Sequence, residues 1–147
     1  MKKSTKYLAI FALVLTIVIN YGCPGVFGYN IVGTWSILAT FGVNDTEDYI
    51  ISFAGDKKTG TVTWTGFGYS LSGTYAVDGK NIDFEVSSSE ELQTFIGTFI
   101  SNKEMSGNGV WLVYGNASSP MSNRMRRHAR AAGQSESFAF NWIGTRN

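Results

Sequence analysis

Few residues in this chain could carry bond-making chemistry, and their spacing argues against most of it. The 147 residues include one Cys, Cys23, and one His, His128. A structural zinc site takes about four N, S or O ligands, which one Cys and one His do not supply. A Ser–His–acid arrangement would have to form around His128, which sits among Arg124, Arg126, Arg127 and Arg130. Asp45-Thr46-Glu47-Asp48 gathers carboxylates without the spacing of a calcium loop, and it reads as a polar turn. Glu90-Glu91 reads as a solvated loop. Gly66-Phe67-Gly68 and Gly107-Asn108-Gly109 precede no helical pattern, so neither is a phosphate cradle. These residues point away from an enzyme, and they imply no metal and no cofactor.

Cys23 belongs to a different kind of chemistry. Lys2, Lys3 and Lys6 precede an uncharged run from Leu8 to Ile19, which ends at Asn20-Tyr21-Gly22-Cys23-Pro24. A basic start before an apolar stretch of this length has the form of a secretory signal peptide, whereas a membrane-spanning helix needs about 20 apolar residues. Gly22-Cys23 resembles the end of a bacterial lipobox, in which a small residue precedes a Cys that becomes lipidated. That resemblance implies a signal peptide over 1–22, a lipid anchor on Cys23, a tether over 23–30 and a place in the cell envelope. Cleavage after Gly28 is the competing site, and it would give a soluble periplasmic or secreted product. In both cases Cys23 is lost as a nucleophile. Removing residues 1–22 takes three of 12 basic residues, leaving nine against 11 acidic ones. A slightly acidic mature chain carries no signature of nucleic-acid binding.

The elements that would position any site alternate with a period of two. Apolar residues alternate over 33–39, 49–53, 61–65, 71–77, 82–86, 95–100, 109–113 and 138–142. Asp78-Gly79 is a strong hairpin signal, and no long helical pattern lies between these segments. Eight strands joined by short connections predict an all-β, antiparallel up-and-down barrel, since closure removes both exposed sheet edges. Gly-Thr followed by a large residue recurs at Gly33, Gly73, Gly97 and Gly144. Each copy sets a small residue beside a bulky one on the same face, as filling a barrel requires. The inward parity carries Trp35, Ile37, Ile51, Phe53, Trp64, Tyr75, Val77, Phe84, Phe99, Trp111 and Phe140.

On these residues the chain resembles a known group. Gly33-Thr34-Trp35 is similar to the G-x-W opening of lipocalins and the wider calycin group. There an Arg on the final strand packs over the first-strand Trp at the closed end of the barrel, and Arg146 matches it. The resemblance implies a divergent bacterial lipocalin-like lipoprotein over 31–147, closed by Gly33, Trp35 and Arg146. It implies a small apolar ligand lined by Trp35, Ile37, Ile51, Phe53, Trp64, Tyr75, Phe84, Phe99, Trp111 and Phe140, or a barrel filled by those side chains and serving as a scaffold. The chain departs from the lipocalin pattern at Ser101-Asn102-Lys103, where a T-D-Y motif would stand, and in a long insertion before the last strand.

That insertion, 115–136, carries four of the nine remaining basic residues. Ser119-Pro120 suits a helix start and Gly133 a helix stop, with Met121, Met125, Ala129 and Ala132 in one stripe. Arg124, Arg126, Arg127 and Arg130 fall largely away from that stripe and form a surface-contact candidate. A basic helix docking on anionic lipid, acidic polysaccharide or an acidic partner, a solvated helix covering one barrel end, a disordered loop, or an interaction or inhibitor module acting through this loop all fit the residues. The anchor is directly testable: replacing Cys23 with Ala in a bacterial host should abolish incorporation of labelled palmitate and release the protein from the membrane fraction. Labelling that survives Cys23→Ala contradicts the lipid anchor.

Overall fold

Side-chain alternation runs further along each strand than its apolar residues alone reveal. The computed structural model describes residues 28–42, 45–114 and 136–147. It has β1 (Gly33–Phe41), β2 (Asp45–Gly55), β3 (Thr59–Gly66), β4 (Tyr69–Asp78), β5 (Asn81–Ser87), β6 (Glu91–Ser101), β7 (Glu104–Val113) and β8 (Glu136–Arg146). Each strand pairs antiparallel with the next, and β8 returns to pair with β1, so the sheet is a closed eight-stranded barrel. Among the described residues there is no helix. The helix expected within 115–136, with Arg124, Arg126, Arg127 and Arg130, lies outside the described residues, as does Cys23.

Two sequence expectations are corrected here. Asp45-Thr46-Glu47-Asp48 is the start of β2 rather than a turn, and Glu91 opens β6 rather than lying in a solvated loop. In both places a carboxylate occupies a strand position that apolar patterning cannot detect.

The pairing register fixes the width of the barrel. The partners Gly55, Gly60, Tyr75, Phe84, Phe95, Gly109 and Phe140 trace one circuit around it. Extending the neighbouring registers, the circuit starts level with Ile31 and ends level with Phe41, a stagger of 41 − 31 = 10 residues. With strands ~4.8 Å apart and ~3.3 Å per residue, that stagger tilts the strands by about 40° and sets a backbone radius of about 8 Å. Side chains from opposite walls therefore meet at the axis.

Aromatic rings fill this space. Phe84 stacks on Phe95 at 4.3 Å between centroids, and Trp142 meets both edge-on at 5.7 and 6.0 Å. Phe53 sets its ring across Phe84 at 5.2 Å. Room for two of these rings comes from facing glycines: a Cβ on Gly97 would collide with the Trp142 indole, and one on Gly109 with the Phe140 ring. Outside, β3 presents Thr61, Thr63 and Thr65, and β4 presents Ser70, Ser72 and Thr74, all exposed. Elsewhere the outer face is more apolar, with Leu38, Ile50, Ile96, Ile100, Val110 and Ile143 exposed on β1, β2, β6, β7 and β8.

One end of the barrel is sealed by the chain that enters it. Ile31 is fully buried, and the Trp35 indole N–H donates to its carbonyl at 2.8 Å. Arg146, opposite Trp35 in the register, has its Cζ 5.9 Å from the Trp35 ring centroid. Its guanidinium donates to the carbonyls of Asn30 at 3.1 Å and Val32 at 2.6 Å. Tyr29 stacks flat on Phe99 at 4.6 Å. Tyr29 and Asn30, expected in a tether, are thus part of the floor. Gly33 has φ +131°, a conformation that favours glycine, and a Cβ there would press on the Arg146 guanidinium at 3.3 Å.

These contacts set an order of mutational cost. Trp35→Ala should cost ~3–5 kcal/mol and Arg146→Ala ~1–2 kcal/mol, the first from cavity formation, the second from lost stacking and hydrogen bonds. Because the residues touch, the double mutant should deviate from additivity by about 0.5 kcal/mol or more. Urea unfolding of the three variants measures this cycle, and simple additivity contradicts the coupling.

Candidate functional site

The opposite end of the barrel is built differently. There β2 and β6 begin, β3 ends and β4 starts, and their first or last inward positions hold polar side chains. Glu47 and Tyr49 of β2, Trp64 of β3, Glu91 and Gln93 of β6 and Trp111 of β7 are all buried. Glu91 and Gln93 are each only 1% exposed, so neither reaches water by extending along the surface. Polar residues enter the interior here because strand parity places them there: Glu47 is in phase with Tyr49 and Ile51, and Glu91 and Gln93 with Phe95.

Contacts link these groups into one cluster. Tyr49 packs against Trp64 at 5.0 Å, and Trp64 against Tyr69 at 5.2 Å. The Tyr69 hydroxyl donates to Glu91 Oε1 at 2.9 Å. The Gln93 amide and Trp111 indole lie beside the same carboxyl and favour its charged form, though neither closes a hydrogen bond of good geometry with it. Burial outweighs them and pushes the Glu91 pKa above the usual glutamate range. Tyr49 is held far above the ordinary tyrosine range, first by burial and then by the charge of Glu47, with smaller contributions from Tyr69, Asp45 and Glu91.

The unusual feature is how many of these atoms lack partners. Tyr49 Oη, Trp64 Nε1, Glu91 Oε2, Gln93 Nε2 and Trp111 Nε1 are buried and have no hydrogen-bond partner among the described residues. Each such group costs ~1–3 kcal/mol of desolvation when left unpaired. The other two indoles behave conventionally, Trp35 donating to Ile31 and Trp142 to the Asn108 carbonyl at 3.1 Å. The unmet polar groups are therefore concentrated at one end.

A strained turn overhangs them. Phe67 and Gly68 join β3 to β4 with φ of +51° and +84°, the pattern of a type I′ hairpin. Asn, Asp or Gly normally occupies the position of Phe67, because a bulky side chain there is strained. Its ring lies 6.3 Å from Tyr49 and 6.5 Å from Trp64 and is 40% exposed, so it forms part of the rim. By contrast, a hollow of about 400 Å³ on the outer face of β4–β6 presents Thr74, Asp83 and Glu85, all solvated.

The structure turns all ten sequence-derived lining residues into the interior. It does not gather them into one site. Trp64, Trp111 and Phe140 border or approach the polar end, Phe140 through Phe41, which also touches Trp111. Trp35 and Phe99 belong to the floor, and Ile37, Ile51, Phe53, Tyr75 and Phe84 pack in the core. In the sequence Glu47 and Glu91 read as parts of a polar turn and a solvated loop, and Tyr49, Tyr69 and Gln93 were not singled out; extending the strand parity by two residues reaches Glu47, Tyr69 and Gln93.

No protein-family model matches the chain, and no curated protein matches it. Among solved structures, a redesigned β-barrel is similar to it with a TM-score of 0.53, covering 80% of this chain and 91% of that one at 14% identity. That likeness is one of fold.

The buried carboxyl has a consequence for pH. Glu91 holds its proton more tightly folded than unfolded. Its contribution to stability is present below the ordinary glutamate pKa of about 4.3 and is lost as pH rises through the folded value. Glu91→Gln keeps an acceptor for Tyr69 and cannot ionise, so its stability relative to wild type should grow as pH rises above the ordinary glutamate pKa. A stability difference that does not change with pH, measured by urea unfolding, contradicts the assignment.

Proposed function

We propose that this protein is an exported binding protein whose barrel holds one small, partly apolar molecule at its polar end. The observation that carries this is the cluster of buried, unpartnered polar atoms from Tyr49, Trp64, Glu91, Gln93 and Trp111. A barrel of this width is either filled by its side chains or takes a small guest. Here the floor and centre are filled, which leaves the polar end as the place for recognition. Aromatic faces around a few convergent polar groups are the usual composition of a small-molecule site. The Leu8–Ile19 run and Gly22-Cys23 support export and attachment to a cell-envelope membrane through Cys23, with the barrel displayed on a short tether. The lipocalin-like motif Gly33-Thr34-Trp35 with Arg146 is consistent with a binding role.

Groups retained for a ligand should be a burden to the empty barrel. Replacing Gln93 with Met keeps the volume and removes an unpaired amide, so the unliganded protein should gain about 1 kcal/mol. The same change should abolish the rise in melting temperature given by compounds that stabilise wild type in a thermal-shift screen. A Gln93→Met protein that is less stable, yet keeps its response to those compounds, contradicts the proposal.

A further inference from the structure

We infer that the polar end selects a neutral, flat molecule whose head group both donates and accepts hydrogen bonds, an amide-bearing ring being the simplest member of that class. This rests on the binding function proposed above and adds the chemistry of the guest. The indole N–H groups of Trp64 and Trp111 can only donate, and so can the Gln93 amide nitrogen. All three are at least nine-tenths buried and unpartnered. The Tyr49 hydroxyl can donate or accept. Against these donors stands the acceptor Glu91 Oε2, which has no hydrogen bond of its own.

Counting donors and acceptors separates the possible head groups. A carbonyl oxygen has two lone pairs, so it can take two of the donors while the N–H of the same amide meets Glu91. An ammonium group has only donors; at Glu91 it would compete with the Gln93 amide and Trp111 indole that already lie beside that carboxyl, and it would leave the Trp64 indole unmet. A carboxylate would accept from the donors but would enter an end that already holds Glu47 and Glu91, and it has no proton for Glu91 Oε2. The same negative surroundings help keep the Tyr49 phenol protonated. A hydrocarbon meets none of the polar groups. For the body of the guest, Tyr49, Trp64, Phe67 and Tyr69 supply rings whose mutual contacts span 5.0 to 6.5 Å between centroids. Such a wall suits a flat ring in stacked or edge-on contact.

Benzamide, benzylammonium, benzoate and toluene share one ring and differ in head group, so they test this count. Each is titrated into the 15N-labelled exported protein while the four indole N–H resonances, assigned with single Trp→Phe variants, are followed by NMR. Trp35 and Trp142 already donate within the protein and act as internal references. Benzamide should move the Trp64 and Trp111 resonances alone and bind about tenfold more tightly than either charged analogue, the scale of one lost hydrogen bond to a buried group. Gln93→Met should weaken benzamide by a similar factor and leave toluene unchanged. If benzylammonium, benzoate or toluene leads the response at Trp64 and Trp111, the neutral class is wrong and the binding site stands. If none of the four moves those resonances, both the class and the site are wrong.

Discussion

The narrow bore of the barrel governs the rest of the structure. Eight strands staggered by ten residues bring opposite walls close enough that every inward side chain touches another. Large rings then need glycines facing them, which is why Gly97 stands against Trp142 and Gly109 against Phe140. A polar side chain turned inward cannot reach water past such neighbours. It must be bonded by the protein or by a guest.

The two ends resolve that constraint in opposite ways. At the floor every prominent polar group is matched: the Trp35 indole to Ile31, and the Arg146 guanidinium to Asn30 and Val32. The chain before β1 serves as the matching partner, so the floor is sealed by its own backbone. At the other end Tyr69 meets Glu91, while five neighbouring atoms have no partner among the described residues. A fold able to satisfy one end so completely has no architectural reason to leave the other unmet. Phe67, held at positive φ where Asn or Gly would be easier, adds local strain at the same rim.

Much of the barrel was legible in the sequence because its signals are local. Period-two alternation marks the middle of each strand, and Gly33, Trp35 and Arg146 stand at the ends of the first and last strands, where closure must bring them together. The candidate site was less legible for a related reason. Glu47, Glu91 and Gln93 obey the same parity as Ile51 and Phe95, but carboxylates and amides read as surface residues until the walls that bury them are known. The role of Tyr29 and Asn30 depends on Phe99 and Arg146, each distant in sequence, so nothing local announces it. Asp45-Thr46-Glu47-Asp48 looked like a turn because its outward residues are polar too, leaving no alternation to see.

The central claim is that the unmet polar groups exist for a guest. Its most direct measurement is the mass of the protein isolated gently from the cells that make it, taken first under non-denaturing and then under denaturing conditions. The account predicts a non-denatured mass that exceeds the denatured one by a single small molecule, with Gln93→Met protein carrying much less of it. Identical masses under both conditions, for wild type and variant alike, would contradict it.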